Sequence, residues 1–337
     1  MSMKYLITGG SGFIGSALIK TLINKYESSV VNIDKLTYAA NKKSLLEYRN
    51  NNNYKFYQID ICNFKDLSKV MEIERPDKII HLAAESHVDR SITSANEFIK
   101  TNIVGTYNLL EVSRSYFKSL KGSRKKNFTF HHVSTDEVFG DLDENEPGFN
   151  ELTSYKPSSP YSASKASSDH LVRAWYRTYD LPIYITNCSN NYGPYQHSEK
   201  LIPTIIKKLI NLEKVPIYGS GNQIRDWLYV YDHADALVKV SNSGNIGETY
   251  NIGGNSEKTN IEVVKEIWNI LKNDHNHSCT NNRSLSDAIE HVEDRPGHDI
   301  RYAIDATKIL KVLQWKPNET FQSGLRKTLD WYIQNLK

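Results

Sequence analysis

Tyr161 and Lys165 are spaced Tyr-x-x-x-Lys, and Ser134, Thr135, Asp136 and Glu137 form a run of hydroxyls and acids earlier in the chain. A free tyrosine ionises near pH 10 and is a poor base at neutrality. Bringing such a phenol down to about 7 takes roughly 4 kcal/mol, which nearby cations in a dry site can supply. A lysine one helical turn away is such a cation. Two adjacent acids can divide acid and base duties if their surroundings push their pKa values apart. Each pattern also has a plain structural reading: Tyr-x-x-x-Lys arises by chance on helix surfaces, and acids after a strand cap helices or face water.

These groups need elements to hold them. The stretch from Phe128 to Val133 reads as a buried strand that ends at Ser134, and Tyr161 to Tyr179 reads as a helix opened by Pro160. Near the start, Tyr5, Leu6 and Ile7 make a short strand, after which Gly9, Gly12 and Gly15 allow a tight turn into a helix from Phe13 to Tyr26. The unpaired amides at that helix start suit a diphosphate. A second strand, Val30 to Ile33, ends in Asp34, whose carboxylate suits both hydroxyls of an adenosine ribose and repels a 2'-phosphate. The cofactor this predicts is NAD, with NADP the weaker choice despite Lys35 next door. A positive nicotinamide over Tyr161 would be the second cation favouring its phenolate.

Strands and helical stretches alternate onward: Tyr54 to Ile59 ending at Asp60, a helix from Phe64 to Glu74, a strand from Lys78 to Leu82 running into Ala83 and Ala84, and a long helix from Asn96 to Tyr116 carrying Asn102 and Gly105. This alternation predicts an α/β fold, a doubly wound parallel sheet of the Rossmann kind with right-handed crossovers. A smaller α/β C-terminal substrate lobe follows. The division expected is residues 1–187 for NAD and 188–337 mainly for a substrate, with some segments returning to the first sheet. Thr259 with Glu262 reads as a capping box, Trp315 and Trp331 as core, and Ala306 to Leu313 and Phe321 to Leu336 as helices of the outer lobe.

A chain of 337 residues is natural for two domains, and its net charge of +3 gives no argument for nucleic acid. Its three cysteines, Cys62, Cys188 and Cys279, show no metal-type pairing and suit a reducing compartment. No apolar run approaches a membrane span, and the first strand leaves no room for a signal peptide, so a cytoplasmic protein without membrane partners or metal is expected. The basic run Lys121 to Lys126 reads as a solvated loop.

The glycine turn, Asp34, the Ser134–Thr135 strand end and the Tyr161–Lys165 pair together resemble the extended short-chain dehydrogenase/reductase family. Longer stretches sharpen this: DKLTYAAN from Asp34, HLAAESHVDRSI from His81, STDEVFGD from Ser134, SPYSASKASSDHLVRAW from Ser159, NCSNNYGPY from Asn187, IRDWLYV from Ile224 and DRPGHDIRYAID from Asp294 are similar to its nucleotide-sugar 4,6-dehydratases. The resemblance spans nearly the whole chain, and Thr-Asp-Glu ahead of Tyr-x-x-x-Lys separates these from sister 4-epimerases and decarboxylases.

The resemblance implies that Tyr161 takes the sugar C4 hydroxyl proton while C4 passes hydride to a retained NAD. Thr135 then holds C4, Glu137 removes the C5 proton, Asp136 protonates the leaving C6 hydroxyl, and hydride returns to C6. It implies NAD contacts from Gly9, Gly12, Phe13, Ile14, Gly15, Asp34, Lys35, Leu36, Thr37, Asp60, Ile61, Leu82, Ala83, Ala84, Ser86, Thr101, Tyr161, Lys165 and Asn191. The implied substrate contacts are Ser86, Thr135, Asn190, Lys200, Leu201, Pro216, Ile217, Tyr218, Arg225, Asn260, Asp294, Arg295 and His298, with Arg225 first for the diphosphate. Arg295 and His298 could equally order their own loop, and Asn102 could equally pack within its helix. A homodimer through the helices from Asn96 and from Tyr161 is also implied. His197 and Ser198 stand where the family usually has an aromatic and a proline, which leaves dTDP-glucose and UDP-glucose both open as substrates. The competing readings are a 4-epimerase and a catalytically silent NAD-binding sensor.

Overall fold

A computed structural model of the chain describes residues 2–274, 277–281, 283–294 and 299–335. Strand β1 (Lys4–Thr8) is buried from Tyr5 onward and lies between two parallel neighbours, β2 (Ser29–Ile33) and β4 (Lys78–His81). A strand covered on both faces has no use for alternation, which is why LIT is uniformly apolar or small. With β3 (Tyr54–Tyr57), β5 (Thr129–Thr135), β6 (Ile183–Cys188) and β10 (Thr249–Ile252) they form a seven-stranded parallel sheet in the order β10-β6-β5-β4-β1-β2-β3. The order reverses between β4 and β1, so the chain leaves these two strand ends in opposite directions and a crevice opens there.

Helices α1 (Phe13–Asn24) and α2 (Phe64–Glu74) follow β1 and β3. After β4 come α3 (Val88–Thr93) and α4 (Ala95–Phe98), a π-helical segment over Ile99–Gly105, and α5 (Thr106–Ser119). The single long helix expected from Asn96 is thus interrupted. The wide turn is stabilised where Ser168 and Thr106 both donate to the Asn102 carbonyl, at 2.6 Å each. The basic run, expected as a loop, forms a short exposed helix α6 (Gly122–Asn127). Helix α7 (Pro160–Tyr179) starts on a capping box in which Ser159 and Ser162 each bond the other's backbone amide.

The chain then crosses to a second lobe. Here β7 (Asn190–Tyr192) pairs with β9 (Ile224–Tyr229), which β11 (Glu257–Thr259) and β13 (Arg301–Tyr302) flank, while β8 (Val215–Tyr218) pairs with β12 (Ile289–Val292). Helices α8 (Leu201–Ile210), α10 (Asn260–Asn273) and α12 (Phe321–Asn335) enclose its core of Ile205, Ile206, Val264, Ile267 and Leu325. Thr259 and Glu262 form the expected capping box of α10. Helix α9 (Val230–Ser243) instead lies with α1, and α11 (Thr307–Leu313) with β10; Ile309, Leu313 and Trp315 join the core of the first sheet, not the outer lobe. Trp331 packs beside Tyr195, with ring centroids 4.5 Å apart.

Ser159→Ala removes one half of the α7 cap and should lower stability by about 1 kcal/mol, read as an earlier urea midpoint at unchanged slope. An unmoved midpoint would mean that the cap is dispensable.

Candidate active site

The cleft at the carboxyl ends of β1, β2, β4, β5 and β6 has a nucleotide-shaped end built on glycine. Gly9 has φ +73, and a Cβ there would sit 2.7 Å from the Ala83 backbone; at Gly15 it would sit 2.3 Å from the Gly9 carbonyl. The turn therefore closes tightly on β4 and presents α1, whose N-cap Gly12 offers no side-chain acceptor. A diphosphate suits such a cradle. Asp34 is oriented by its own loop: Ser11 and Leu36 amides donate to its two oxygens at 2.9 and 2.8 Å. Burial nonetheless raises its carboxyl above the ordinary value. Lys35 turns away to donate to Thr101 at 3.2 Å and to pair with Glu85 at 3.5 Å, which argues against its serving a 2'-phosphate.

The chemical end lies where β5 runs out. Thr135 donates to Asp136 Oδ1 at 3.2 Å and accepts the Glu137 amide at 3.3 Å, so the threonine caps the tight turn Asp136–Phe139 and the acids are not needed for that task. Asp136 is buried, and its Oδ2 has no hydrogen-bond partner among the described residues. Burial, then the charges of Glu137 and Asp226, hold its carboxyl well above the usual carboxylate range, which favours the protonated acid.

Tyr161 and Lys165 occupy one face of α7 and both line the cleft. Their electrostatic balance differs from the sequence expectation. Lys165 donates to the Val133 carbonyl at 2.9 Å, and Tyr161 is held well above its ordinary value by burial and by the Glu137 charge, with the Thr135 hydroxyl opposing. Burial lowers the lysine itself. The phenol is therefore protonated in the protein alone, because desolvation of a phenolate outweighs a cation that faces the strand backbone.

Of the residues expected to touch cofactor or substrate, the cleft brings together Gly9, Gly12, Phe13, Ile14, Gly15, Asp34, Lys35, Thr37, Ile61, Leu82, Ala83, Ala84, Ser86, Thr101, Thr135, Asp136, Glu137, Tyr161, Lys165, Asn190, Asn191 and Lys200. Leu36, Asp60, Leu201, Pro216, Ile217, Tyr218, Arg225, Asn260 and Asp294 lie outside that lining, and Arg295 and His298 lie outside the described residues. Asp60 is within 3.9 Å of Lys35. Arg225 already donates to the carbonyls of Ile224, Ile300 and Asp299 and stacks 4.4 Å over Tyr302, so it braces the 299–302 segment where a guanidinium open to a diphosphate was expected. Asn260 bonds Gln223 at 3.3 Å, and the same glutamine reaches Asp294 at 2.8 Å. Asn102 is also structural, stapling the Glu85 backbone from both sides and reaching Ser164 at 2.8 Å.

Sequence reasoning missed a cluster at the cleft mouth. Arg90 stacks 3.6 Å over Tyr38 and pairs with Glu199 at 3.1 Å, His87 approaches Glu199 at 3.4 Å, and His197 meets the Tyr38 ring edge-on at 5.8 Å. The letters lay in HVDRSI and beside His197, but nothing in their spacing says that three separate loops meet. Among the described residues no group of histidine, cysteine and acid side chains could hold a metal, and no helix is long and apolar enough to cross a membrane.

The chain matches the GDP-mannose 4,6 dehydratase family over residues 6–328. It is 57% identical over 332 residues to a dTDP-glucose 4,6-dehydratase of Neisseria meningitidis, covering 98% of this chain and 94% of that one. Identity to dTDP-glucose 4,6-dehydratase 1 of Escherichia coli K12 is 55% over 343 residues, covering 99% and 94%. The solved dTDP-glucose 4,6-dehydratase DesIV of Streptomyces venezuelae, with NAD and dTDP bound, superposes with a TM-score of 0.88 at 39% identity, covering 99% of this chain and 98% of that one.

The state of Asp136 has a stability signature. The unfolded chain ionises this carboxyl near 3.8 and burial raises it in the folded protein, so Asp136 destabilises the fold increasingly as pH rises above about 4. Asp136→Asn should therefore gain stability over the natural protein as pH rises from about 4, with the difference smallest below that pH. A pH-independent difference in urea unfolding would mean that folding does not raise the Asp136 carboxyl.

Proposed function

Since the chain belongs to the GDP-mannose 4,6 dehydratase family, we propose that it is an NAD-dependent hydro-lyase that converts dTDP-glucose to dTDP-4-keto-6-deoxyglucose and water. The observation that carries this reading is the pair of acids on the turn after β5, one of them buried and raised above the usual carboxylate range, in the same cleft as Tyr161 and Lys165. A 4-epimerase has no use for such a pair, and a silent sensor has no need to retain all five groups.

NAD, when bound, would be held by the glycine cradle and Asp34 and would supply the hydride acceptor for C4 and the hydride returned to C6. The chain's own residues handle the protons. Tyr161 receives the proton of the C4 hydroxyl, and because burial and Glu137 oppose its ionisation, that step draws on the nearby Lys165 ammonium. Thr135 presents its hydroxyl to the sugar at C4. Oxidation there acidifies the C5 hydrogen, which Glu137 removes, and Asp136 gives its proton to the C6 hydroxyl so that it leaves as water. Burial that raises the Asp136 carboxyl, favouring its protonated form, supports its role as the acid.

Substrate contacts by Ser86, Asn190, Lys200 and their neighbours, and NAD contacts by Asn191 and the first-lobe residues, belong to the same reading, as does the division into residues 1–187 for NAD and 188–337 mainly for the sugar nucleotide. The curated relatives favour thymine as the base, and UDP-glucose is the competitor. A cytoplasmic homodimer fits as well: Val104, Tyr107 and Tyr179 are exposed near Trp175, whose ring meets both tyrosines edge-on at 5.9 and 5.5 Å. The product class supplies deoxysugar synthesis of the rhamnose type.

Purified protein given dTDP-glucose or UDP-glucose without added cofactor should remove one water from dTDP-glucose, seen by mass spectrometry, and do so faster than from UDP-glucose. Intact substrate alongside protein-bound NAD would sink the assignment. Glu137→Gln should suppress deuterium uptake at C5 from heavy water by roughly a hundredfold or more, the low end of what a positioned base contributes; undiminished uptake moves the base elsewhere.

A further inference from the structure

Tyr161, Lys165 and Asp169 recur at every fourth position of α7, a stripe that continues below the cleft into the core. Asp169 is fully buried and takes no part in the proton transfers assigned above. Its Oδ2 accepts from the Tyr155 hydroxyl at 2.8 Å and from Asn187 at 3.3 Å, and its Oδ1 lies 3.1 Å from His132 Nε2 on β5. Burial alone would protonate a carboxyl here. The His132 contact, the Lys165 charge and the Tyr155 hydroxyl together hold it below the usual carboxylate range, so a fixed negative charge lies beneath the reacting groups.

Lys165 Nζ stands 3.5 Å from the same His132 nitrogen. His132 is buried and neutral, pushed down to about 4, and its Nδ1 has no hydrogen-bond partner among the described residues. The one Nε2 thus lies 3.1 Å from the Asp169 carboxylate and 3.5 Å from the Lys165 ammonium, so the two opposite charges meet at a single atom of a neutral imidazole. The other groups facing this layer offer no substitute charge. His81 on β4, 5.3 Å from His132 ring to ring, is neutral through burial, as are the Cys188 thiol on β6 and the Tyr155 phenol. Arg173 donates to Tyr155 at 2.9 Å, on the far side of Asp169's own partner. Towards the cleft, burial favours the neutral form of Asp136, and Glu137 faces the Tyr161 side.

We propose that Asp169 is the counter-ion of Lys165, a positioning residue that keeps the lysine ammonium charged at the pH of catalysis and so keeps Tyr161 able to give up its proton. This rests on Tyr161 as the base of the proposed reaction. Desolvation acts on Lys165 in one direction and Asp169 in the other. Without the carboxylate, the lysine loses its proton at lower pH, and the rate that depends on its charge falls earlier as pH rises.

The test is kcat of the NAD-loaded enzyme on dTDP-glucose from pH 6 to 9 for the natural protein, Asp169→Asn and Asp169→Glu. For Asp169→Asn the alkaline limb should move down by about one pH unit or more, a roughly tenfold loss at the alkaline end with little change near pH 6, since one unit is tenfold in protonation. Asp169→Glu should restore the limb. An Asp169→Asn profile parallel to the natural one, with only a lower unfolding midpoint, would overturn the proposal and leave a structural role. If Asp169→Asn does not accumulate as folded protein, Lys165→Met/Asp169→Asn, which lacks both charges, is compared with Lys165→Met: equal residual rates are expected, and a further tenfold loss overturns the pairing. Absence of turnover by the natural protein is a separate outcome, which removes the assigned reaction itself.

Discussion

The close approach of Gly9 to Ala83 is the constraint from which the site follows. With a Cβ 2.7 Å from backbone excluded, the turn after β1 can lie against the end of β4 where the strand order reverses. That contact fixes the start of α1 and, through it, the direction in which a diphosphate meets helix amides. It also sets the distance from that seat to the end of β5, two strands away, because parallel strands are spaced at about 4.8 Å.

Charge is arranged across this frame in layers of differing hydration. At the mouth, Arg90, Glu199 and His87 are partly exposed and their pairing is screened. In the cleft wall, Asp136 and Tyr161 are buried, and burial raises both well above their ordinary values. Beneath them, Asp169 is buried yet ionised, because it alone of the three is met by an imidazole, a phenol and an amide. Hydrogen-bond donors, not depth, decide which buried acid is charged.

The sheet was legible in the sequence because parallel strands buried on both faces leave short apolar runs, and the glycine turn, Asp34 and Tyr161–Lys165 are local patterns that need no knowledge of distant contacts. What was not legible depends on distant partners. The π-helical segment at Ile99–Gly105 needs the Ser168 hydroxyl of another helix. Arg225 reads as a phosphate ligand, but that it also braces the 299–302 segment through the carbonyls of Asp299 and Ile300 depends on residues far away in sequence. The helix α6 (Gly122–Asn127) and the position of α11 escape the sequence for a similar reason, since neither composition nor period says which core a short element joins. Tyr161's balance needed the depth of the cleft, which spacing on a helix does not report.

The return of β10 to the first sheet carries a consequence for synthesis on the ribosome. Ile185 to Cys188 find their outer neighbour only in Thr249 to Ile252, so for some sixty residues of translation β6 is an open edge, and the hydrophobic surface later covered by α9 and α11 stays wet. Loop closure over that span is slow relative to local helix formation, and an unpaired edge is a template for other chains. The first lobe is thus not an independent folding unit, and the nascent chain is most exposed to aggregation just after its nucleotide-binding residues have all emerged.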